Sequence, residues 1–390
     1  MTTMSQGSFT FIGSGNRADL LKRVDEIRPW GGTIGPWRRY RNDRGVEDDN
    51  TFPNHPANYR ARAGLADAVN TAIALSKPLL LTGLPGTGKS QLAERIAWEF
   101  NLGPVLRFEA QSLSEAPDLF YRFDLVGHLA AVEMVKLTQN RDVQGGLTGG
   151  LTTGDNHLSP ERFVKLGPLG EAILRSEPGS HKELFNAVFA PAETAESTEP
   201  RPSVVLIDEI DKASRDFPND LLNGIERLEF RVRELGLETM TVHPGYRPIV
   251  IVTSNSERDL PAPFLRRCTF FHIEEPTQDD LRQIVAQRFF STAAAGATPE
   301  LPPFYNKLVD AFWSFREAND GNLQYRPGTS ELIDWTSALR SRNVNPAADL
   351  QSNLTEVQQT ASSVSKHKDD QQVLHDFLKG LTTATVAAAS

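Results

Sequence analysis

The chain has 390 residues, with 41 Lys and Arg against 50 Asp and Glu for a net charge of −9, and 39% of its residues are hydrophobic. These values exclude an intrinsically disordered chain, and at roughly 150 residues per domain the length allows two or three domains with a sizeable core. No stretch approaches the roughly 18 apolar residues of a membrane span, the start lacks the charged-then-apolar build of a signal peptide, and the one cysteine, Cys268, permits no disulfide within the chain. A cytoplasmic protein is therefore expected, and its acidic balance gives no global attraction to nucleic acid.

Residues 1–55 carry little periodic pattern. They include the basic-aromatic run Trp37-Arg38-Arg39-Tyr40-Arg41, a composition that either stacks on single-stranded bases or belongs to an arm packed on the body of the protein. The arm is the simpler reading. From residue 65 onward Leu65, Val69, Ala72, Ile73 and Leu75 recur at helical spacing, and Pro78 ends that helix. Short apolar runs follow at Pro78-Leu-Leu-Leu-Thr82, Val105-Leu-Arg-Phe108, Val204-Val-Leu-Ile207, Ile249-Val-Ile-Val252 and Phe270-Phe-His-Ile273. Each is too short for a helix and bounded by Gly, Pro, Asp or Asn, so they predict five buried parallel strands alternating with helices, an α/β sandwich. Beyond the break at Glu274-Glu275-Pro276-Thr277, residues 279–290, 304–318, 329–340 and 371–382 show only helical spacing, which predicts a separate all-helical domain. Two segments poor in apolar residues, the Gly/Thr-rich 144–154 and the Glu/Pro/Thr-rich 190–202, read as mobile loops.

The most specific motif is Gly83-Leu84-Pro85-Gly86-Thr87-Gly88-Lys89-Ser90, a full match to the phosphate-binding loop G-x-x-x-x-G-K-[ST], set between a predicted strand and a helix opening at Gln91. Glycines let backbone N–H groups close on a polyphosphate, and the helix N-terminus adds positive partial charge. Lys89 is placed to reach the β- and γ-phosphates and Ser90 to ligate Mg²⁺. Val204-Val-Leu-Ile-Asp208-Glu209 puts two carboxylates at the end of a buried strand: Asp208 to hold the magnesium through water, Glu209 to polarise the attacking water. Asn255 ends another apolar strand and either orients that water or touches the γ-phosphate. Arg266 and Arg267, adjacent and just ahead of the last strand, are either a surface pair or an arginine finger aimed at a neighbouring subunit. The histidines show no paired spacing for a metal.

The order of the Gly83–Ser90 loop, Asp208-Glu209, Asn255, Arg266-Arg267 and a helical domain resembles the AAA+ ATPases. Ala68-Val-Asn-Thr-Ala-Ile-Ala-Leu75, Phe163-Val-Lys-Leu-Gly-Pro-Leu-Gly170 and Asp220-Leu-Leu-Asn-Gly-Ile-Glu-Arg227 make it similar to the MoxR-like branch. The resemblance covers roughly residues 56–382 and implies an ATP- and Mg²⁺-dependent ATPase with a parallel-sheet core at 56–275 and a helical lid at 276–382, which leaves an N-terminal arm at 1–55 and a flexible tail at 383–390 outside it. It implies nucleotide contacts from Gly83 through Gln91, a hexameric ring with fingers between subunits, and a protein client beside a von Willebrand factor A domain partner. An insert near 127–160 and a hairpin near 226–246 would face the ring pore, the insert being either an inert loop or one that engages a partner. One position departs from the pattern: Ser330 stands where the lid's sensor arginine aligns, so either Arg326 substitutes from the preceding turn or the lid senses nucleotide weakly. Two other classes remain, a nucleotide-gated scaffold with little turnover and a nucleotide-driven subunit of a nucleic-acid-processing complex. The intact Glu209 argues against the first and the net charge against the second.

Overall fold

The computed structural model describes residues 11–13, 55–100, 102–134, 159–189, 199–255, 260–290 and 299–388, with backbone only from 381 on. The basic-aromatic run at 37–41, the Gly/Thr-rich segment 144–154 and residues 190–198 of the expected linker lie outside the described residues, as do 135–158 of the expected insert.

All five apolar runs are strands: β1 (Leu79–Gly83), β2 (Leu106–Glu109), β5 (Val204–Asp208), β8 (Ile249–Ser254) and β9 (Thr269–Ile273). They form one parallel sheet in the order β2-β5-β8-β1-β9. Two small antiparallel pairs complete the strands, β3 (Tyr121–Phe123) with β4 (Val164–Leu166) and β6 (Glu229–Phe230) with β7 (Met240–Thr241).

Side chains alternate across a strand, and that alternation divides the core into two layers. Leu79 and Leu81 of β1, Val204 and Leu206 of β5 and Ile251 of β8 point to one face. There they meet Leu65, Val69 and Ala72 of α1 (Leu65–Leu75) and Leu92, Ala93 and Ile96 of α2 (Lys89–Glu99). Leu80, Val205, Ile207, Val250 and Val252 point the other way, against α3 (Pro168–Ser176), α4 (Lys182–Phe189), α5 (Phe217–Arg227) and the single turn α6 (Ala262–Leu265). Covering both faces is what permits a parallel sheet of near-continuous apolar strands. The described tip of the N-terminal arm packs on the first layer. Phe11 is buried there, its N–H donates to Asn70 Oδ1 at 2.7 Å, and the N–H groups of Ile12 and Gly13 donate to the Glu99 carboxylate.

The C-terminal region is helical: α7 (Gln278–Phe290), α8 (Pro303–Ala318), α9 (Thr329–Ser341), the short α10 (Leu354–Gln359) and α11 (Lys368–Ala388). Its apolar cluster draws only on residues from Leu281 to Leu378, around Phe304, Leu308, Phe312, Leu332 and Trp335. Helix α10 went unseen in the sequence because six residues with one buried apolar side chain, Val357, leave no period to read. No described helix is long and apolar enough to cross a membrane.

Candidate functional site

The phosphate loop occupies the turn between β1 and α2, at the carboxyl edge of the sheet. Gly83 has φ 143°, and a Cβ there would lie 2.4 Å from the Ile273 carbonyl oxygen of β9, so no side chain fits between the two strands at that point. Gly86 and Gly88 are left-handed and turn the loop onto the start of α2, whose open N–H groups and dipole favour an anion. Thr87 Oγ1 donates to Leu84 O at 2.8 Å and pins the loop. Lys89 is buried beneath it. Its ammonium donates to Gly83 O at 2.8 Å, Leu84 O at 3.0 Å and Asn255 Oδ1 at 2.8 Å, which uses all three of its donors. Burial lowers the Lys89 pKa from its ordinary value, and the charges of Asp208, Asp211 and Glu209 pull it back up.

The acids stand one strand over. Ser90 Oγ donates to Asp208 Oδ1 at 2.8 Å, and Thr253 Oγ1 donates to the same oxygen. Thr253 Oγ1 in turn accepts the Glu209 N–H at 2.9 Å. Glu209 is one of four non-glycine residues with a left-handed backbone among those described, φ 55°, a conformation that costs roughly 1–3 kcal/mol and persists where the surroundings enforce it. Asn255 donates its N–H to Asp211 Oδ1 at 3.0 Å, and its Nδ2 stands 3.5 Å from Glu209 Oε1. The other Glu209 oxygen is paired with Lys212 Nζ. Lys89, Ser90, Asp208, Glu209 and Asn255 therefore meet in one connected network. The Ser90 hydroxyl beside an Asp208 carboxylate oxygen is a pair of hard oxygen donors of the kind Mg²⁺ takes, so the residues present fit that ion.

Beside the loop a cleft of about 680 Å³ opens between the α/β layers and the C-terminal helices, a volume within the usual range for a small-molecule ligand. Gly86, Thr87, Gly88 and Gln91 form its floor, Tyr59 to Ala63 and Ile273 one wall, and Ile284, Thr329, Ser330 and Ile333 the other. Leu84 and Pro85 project from the loop tip into solvent. Ser330 touches the loop directly: a Cβ on Gly86 would lie 2.8 Å from its Oγ.

Three arginines lie elsewhere. Arg266 and Arg267 precede β9 and so sit at the amino edge of the sheet, the length of a strand from the phosphate loop of their own chain. Arg267 is ion-paired with Glu226 of α5, whereas Arg266 is exposed and makes no side-chain hydrogen bond or ion pair among the described residues. Arg326 is held by Glu275 at 2.6 Å, Glu317 at 3.2 Å and Asp320 at 3.3 Å, behind the cleft wall instead of on the loop.

Sequence reasoning missed Thr253 and Asp211, which tie the strand ends together, and Tyr59, whose ring supports Gly88. A signal for Thr253 was present. It lies two residues before Asn255 and hence on the same side of the chain, the first of two polar residues that close the apolar strand β8.

The family model described as "ATPase family associated with various cellular activities (AAA)" matches residues 79–275, just over half of the chain. Among solved structures the chain is similar to variants of Thermotoga maritima RuvB. One is 14% identical, with 78% of this chain and 67% of that chain covered at a TM-score of 0.37. Another is also 14% identical, with 79% and 69% covered at a TM-score of 0.38. Likeness at that level carries no argument about function. No curated protein sequence matches the chain.

Proposed function

The chain belongs to the AAA family of ATPases, and from that premise we propose that it is an ATP-hydrolysing remodeller of the MoxR-like branch that works as a ring on a protein client. The observation that carries the proposal is the network joining Lys89, Asn255, Glu209, Thr253, Asp208 and Ser90, which sets a basic group, a pair of oxygen ligands and a second carboxylate around one phosphate loop. In this reading the loop and the α2 N-terminus hold the β- and γ-phosphates, and Lys89 exchanges its contacts with the Gly83 and Leu84 carbonyls for phosphate oxygens. Ser90 and Asp208 hold Mg²⁺, which supplies charge neutralisation at the phosphates. Glu209 accepts the proton of the attacking water, with Asn255 orienting it. The base and ribose lie in the adjoining cleft, the Gly83–Gln91 segment lines the phosphate end, and residues 276–382 act as the lid.

AAA proteins commonly form rings, and the distance of Arg266 and Arg267 from their own loop supports a finger directed at the neighbouring copy. The MoxR-like assignment and a client beside a von Willebrand factor A domain protein rest on the sequence resemblance. The β6–β7 pair within the expected 226–246 hairpin is compatible with it. A second reading, a nucleotide-gated scaffold with little turnover, has one observation in its favour, the Lys212 ammonium on the Glu209 carboxylate.

Steady-state ATPase measurement decides between them. Wild type is expected to turn over, and Glu209→Gln to lose about 10²–10⁴-fold in rate while retaining ATP, because only the proton acceptor is gone. Equal rates for the two proteins would remove Glu209 from the chemistry. A wild type that binds ATP without hydrolysing it would favour the scaffold.

A further inference from the structure

The amino edge of the central sheet carries a row of cations. Strands β8, β1 and β9 are neighbours and parallel, and each is entered two residues after a basic side chain: Arg247 before β8, Lys77 before β1, Arg267 before β9. The register pairs Leu79 with Thr269, so Lys77 and Arg267 stand level on adjacent strands, which in a sheet run about 4.8 Å apart. Arg266 adds a fourth cation. Together with Pro78, Leu222, Ile225 and Phe264 these residues line a cleft of about 240 Å³. A single carboxylate, Glu226, lines it with them, and it is taken by Arg267. Lys77, Arg247 and Arg266 meet no carboxylate among the described residues. Four cations against one acid at one concave spot is a concentration of positive charge in a chain whose net charge is −9. Burial pushes the Cys268 thiol, which also lines the cleft, up to about 12.

The opposite edge of the same strands has the complementary character. It sets Asp208, Glu209 and Asp211 against the ammonium groups of Lys89 and Lys212, and a polyphosphate bound in the loop would tip this balance further to negative. A cationic pole and an anionic pole at the two ends of one set of parallel strands suit head-to-tail contact between identical chains, the heterologous geometry that closes into rings. We propose that Lys77 and Arg247 form, with the arginine pair, a docking site for the nucleotide-loaded phosphate-loop edge of a second copy of this chain, so that assembly is read through these two residues and not through Arg266 and Arg267 alone. The inference rests on the ring reading above and adds to it two residues outside the nucleotide site. Among the described residues Glu226 alone meets this charge in the free chain, so assembly follows nucleotide loading of the partner.

The test follows assembly of the full-length protein by analytical ultracentrifugation, with and without a non-hydrolysable ATP analogue and Mg²⁺. Lys77→Glu and Arg247→Glu are each expected to raise the protein concentration needed for assembly by roughly tenfold or more, and the pair together by more. Affinity of the dissociated subunits for a fluorescent ATP analogue should stay at the wild-type value, which also shows that the variants are folded. Lys77→Gln and Arg247→Gln should fall between these and wild type. If wild type assembles on nucleotide and the charge-reversed proteins assemble at the same concentration, this inference is wrong and the ring reading stands. If wild type itself never assembles, both fall. One further arm separates a second copy from a free anion. Tripolyphosphate is titrated calorimetrically into Lys89→Ala with and without Lys77→Glu and Arg247→Glu. Binding that disappears with the two charge reversals would make the cleft a free-anion site and overturn the second-copy assignment.

Discussion

At the carboxyl edge of the sheet each polar side chain is held by another: Lys89 by two carbonyls and Asn255, Asp208 by Ser90 and Thr253, Glu209 by Lys212. At the amino edge, a strand's length away, Lys77, Arg247 and Arg266 stand without such partners among the described residues, and only Arg267 is engaged. A site wired from within one chain is ordered before its ligand arrives, because the contacts that fix each group already exist. A row of four cations met by one carboxylate among the described residues is complementary to something outside the chain. The carboxyl edge thus has the build of the part that binds nucleotide, and the amino edge that of the part that meets a neighbour.

Lys89→Ala should break the carboxyl edge most severely. It removes the ammonium that the proposed function sets against two phosphates, and leaves the Gly83 and Leu84 carbonyls and Asn255 Oδ1 without their donor. Affinity for a fluorescent ATP analogue is expected to fall by at least about 100-fold, beyond ready detection, and hydrolysis to vanish with it. An unchanged titration would mean that the loop does not bind phosphate.

The amino edge is probed next through its arginines. A finger acting between subunits contributes about 10³–10⁵-fold in turnover in well-characterised phosphoryl-transfer enzymes. The structure separates the adjacent pair, since Arg267 is paired with Glu226 and Arg266 is exposed without a partner. Arg266→Ala is accordingly expected to lose hydrolysis on that scale at near-normal ATP affinity, and Arg267→Ala to keep most of it. Mixing Arg266→Ala with Lys89→Ala sharpens the contrast. A subunit that cannot bind ATP still offers its own Arg266 to a neighbour whose pocket is intact, so mixed assemblies should regain activity. No recovery at any ratio would place the finger within its own subunit.

The carboxyl edge was largely legible in the sequence, and for a physical reason. Val204–Ile207 and Leu79–Leu81 are apolar runs that only a sheet covered on both faces can bury, and Gly83–Ser90 is a local motif whose geometry depends on few residues outside it. What escaped were contacts created by register. Thr253 reaches Asp208 because Ile207 pairs with Val252 across β5 and β8, and no spacing along the chain announces that pairing. The left-handed backbone of Glu209 was equally invisible, since non-glycine residues other than Asn, Asp and His seldom adopt it. Lys77 and Arg247 lie 170 residues apart and become neighbours only through the strand order β8-β1-β9.

Arg326 tests the same logic at its weakest. The family resemblance implies that it could replace a sensor arginine on the phosphates, yet its guanidinium is surrounded by Glu275, Glu317 and Asp320. Glu275 is shared with Arg316, whose side chain is buried, so the carboxylate at the junction of sheet and helices keeps one cation even when Arg326 is removed. Partly exposed ion pairs of this kind are each worth about 0.2–1 kcal/mol. Arg326→Gln is therefore expected to lower stability by about 1 kcal/mol, read as a small decrease in the urea midpoint, and to change ATP affinity and turnover by no more than about threefold. Ser330, not Arg326, is the side chain of the helical region that meets the loop, at Gly86. A loss of turnover approaching that of Arg266→Ala would show that Arg326 leaves its three carboxylates and reaches nucleotide when the cleft closes, and the internally paired group would then behave as the unpaired one does.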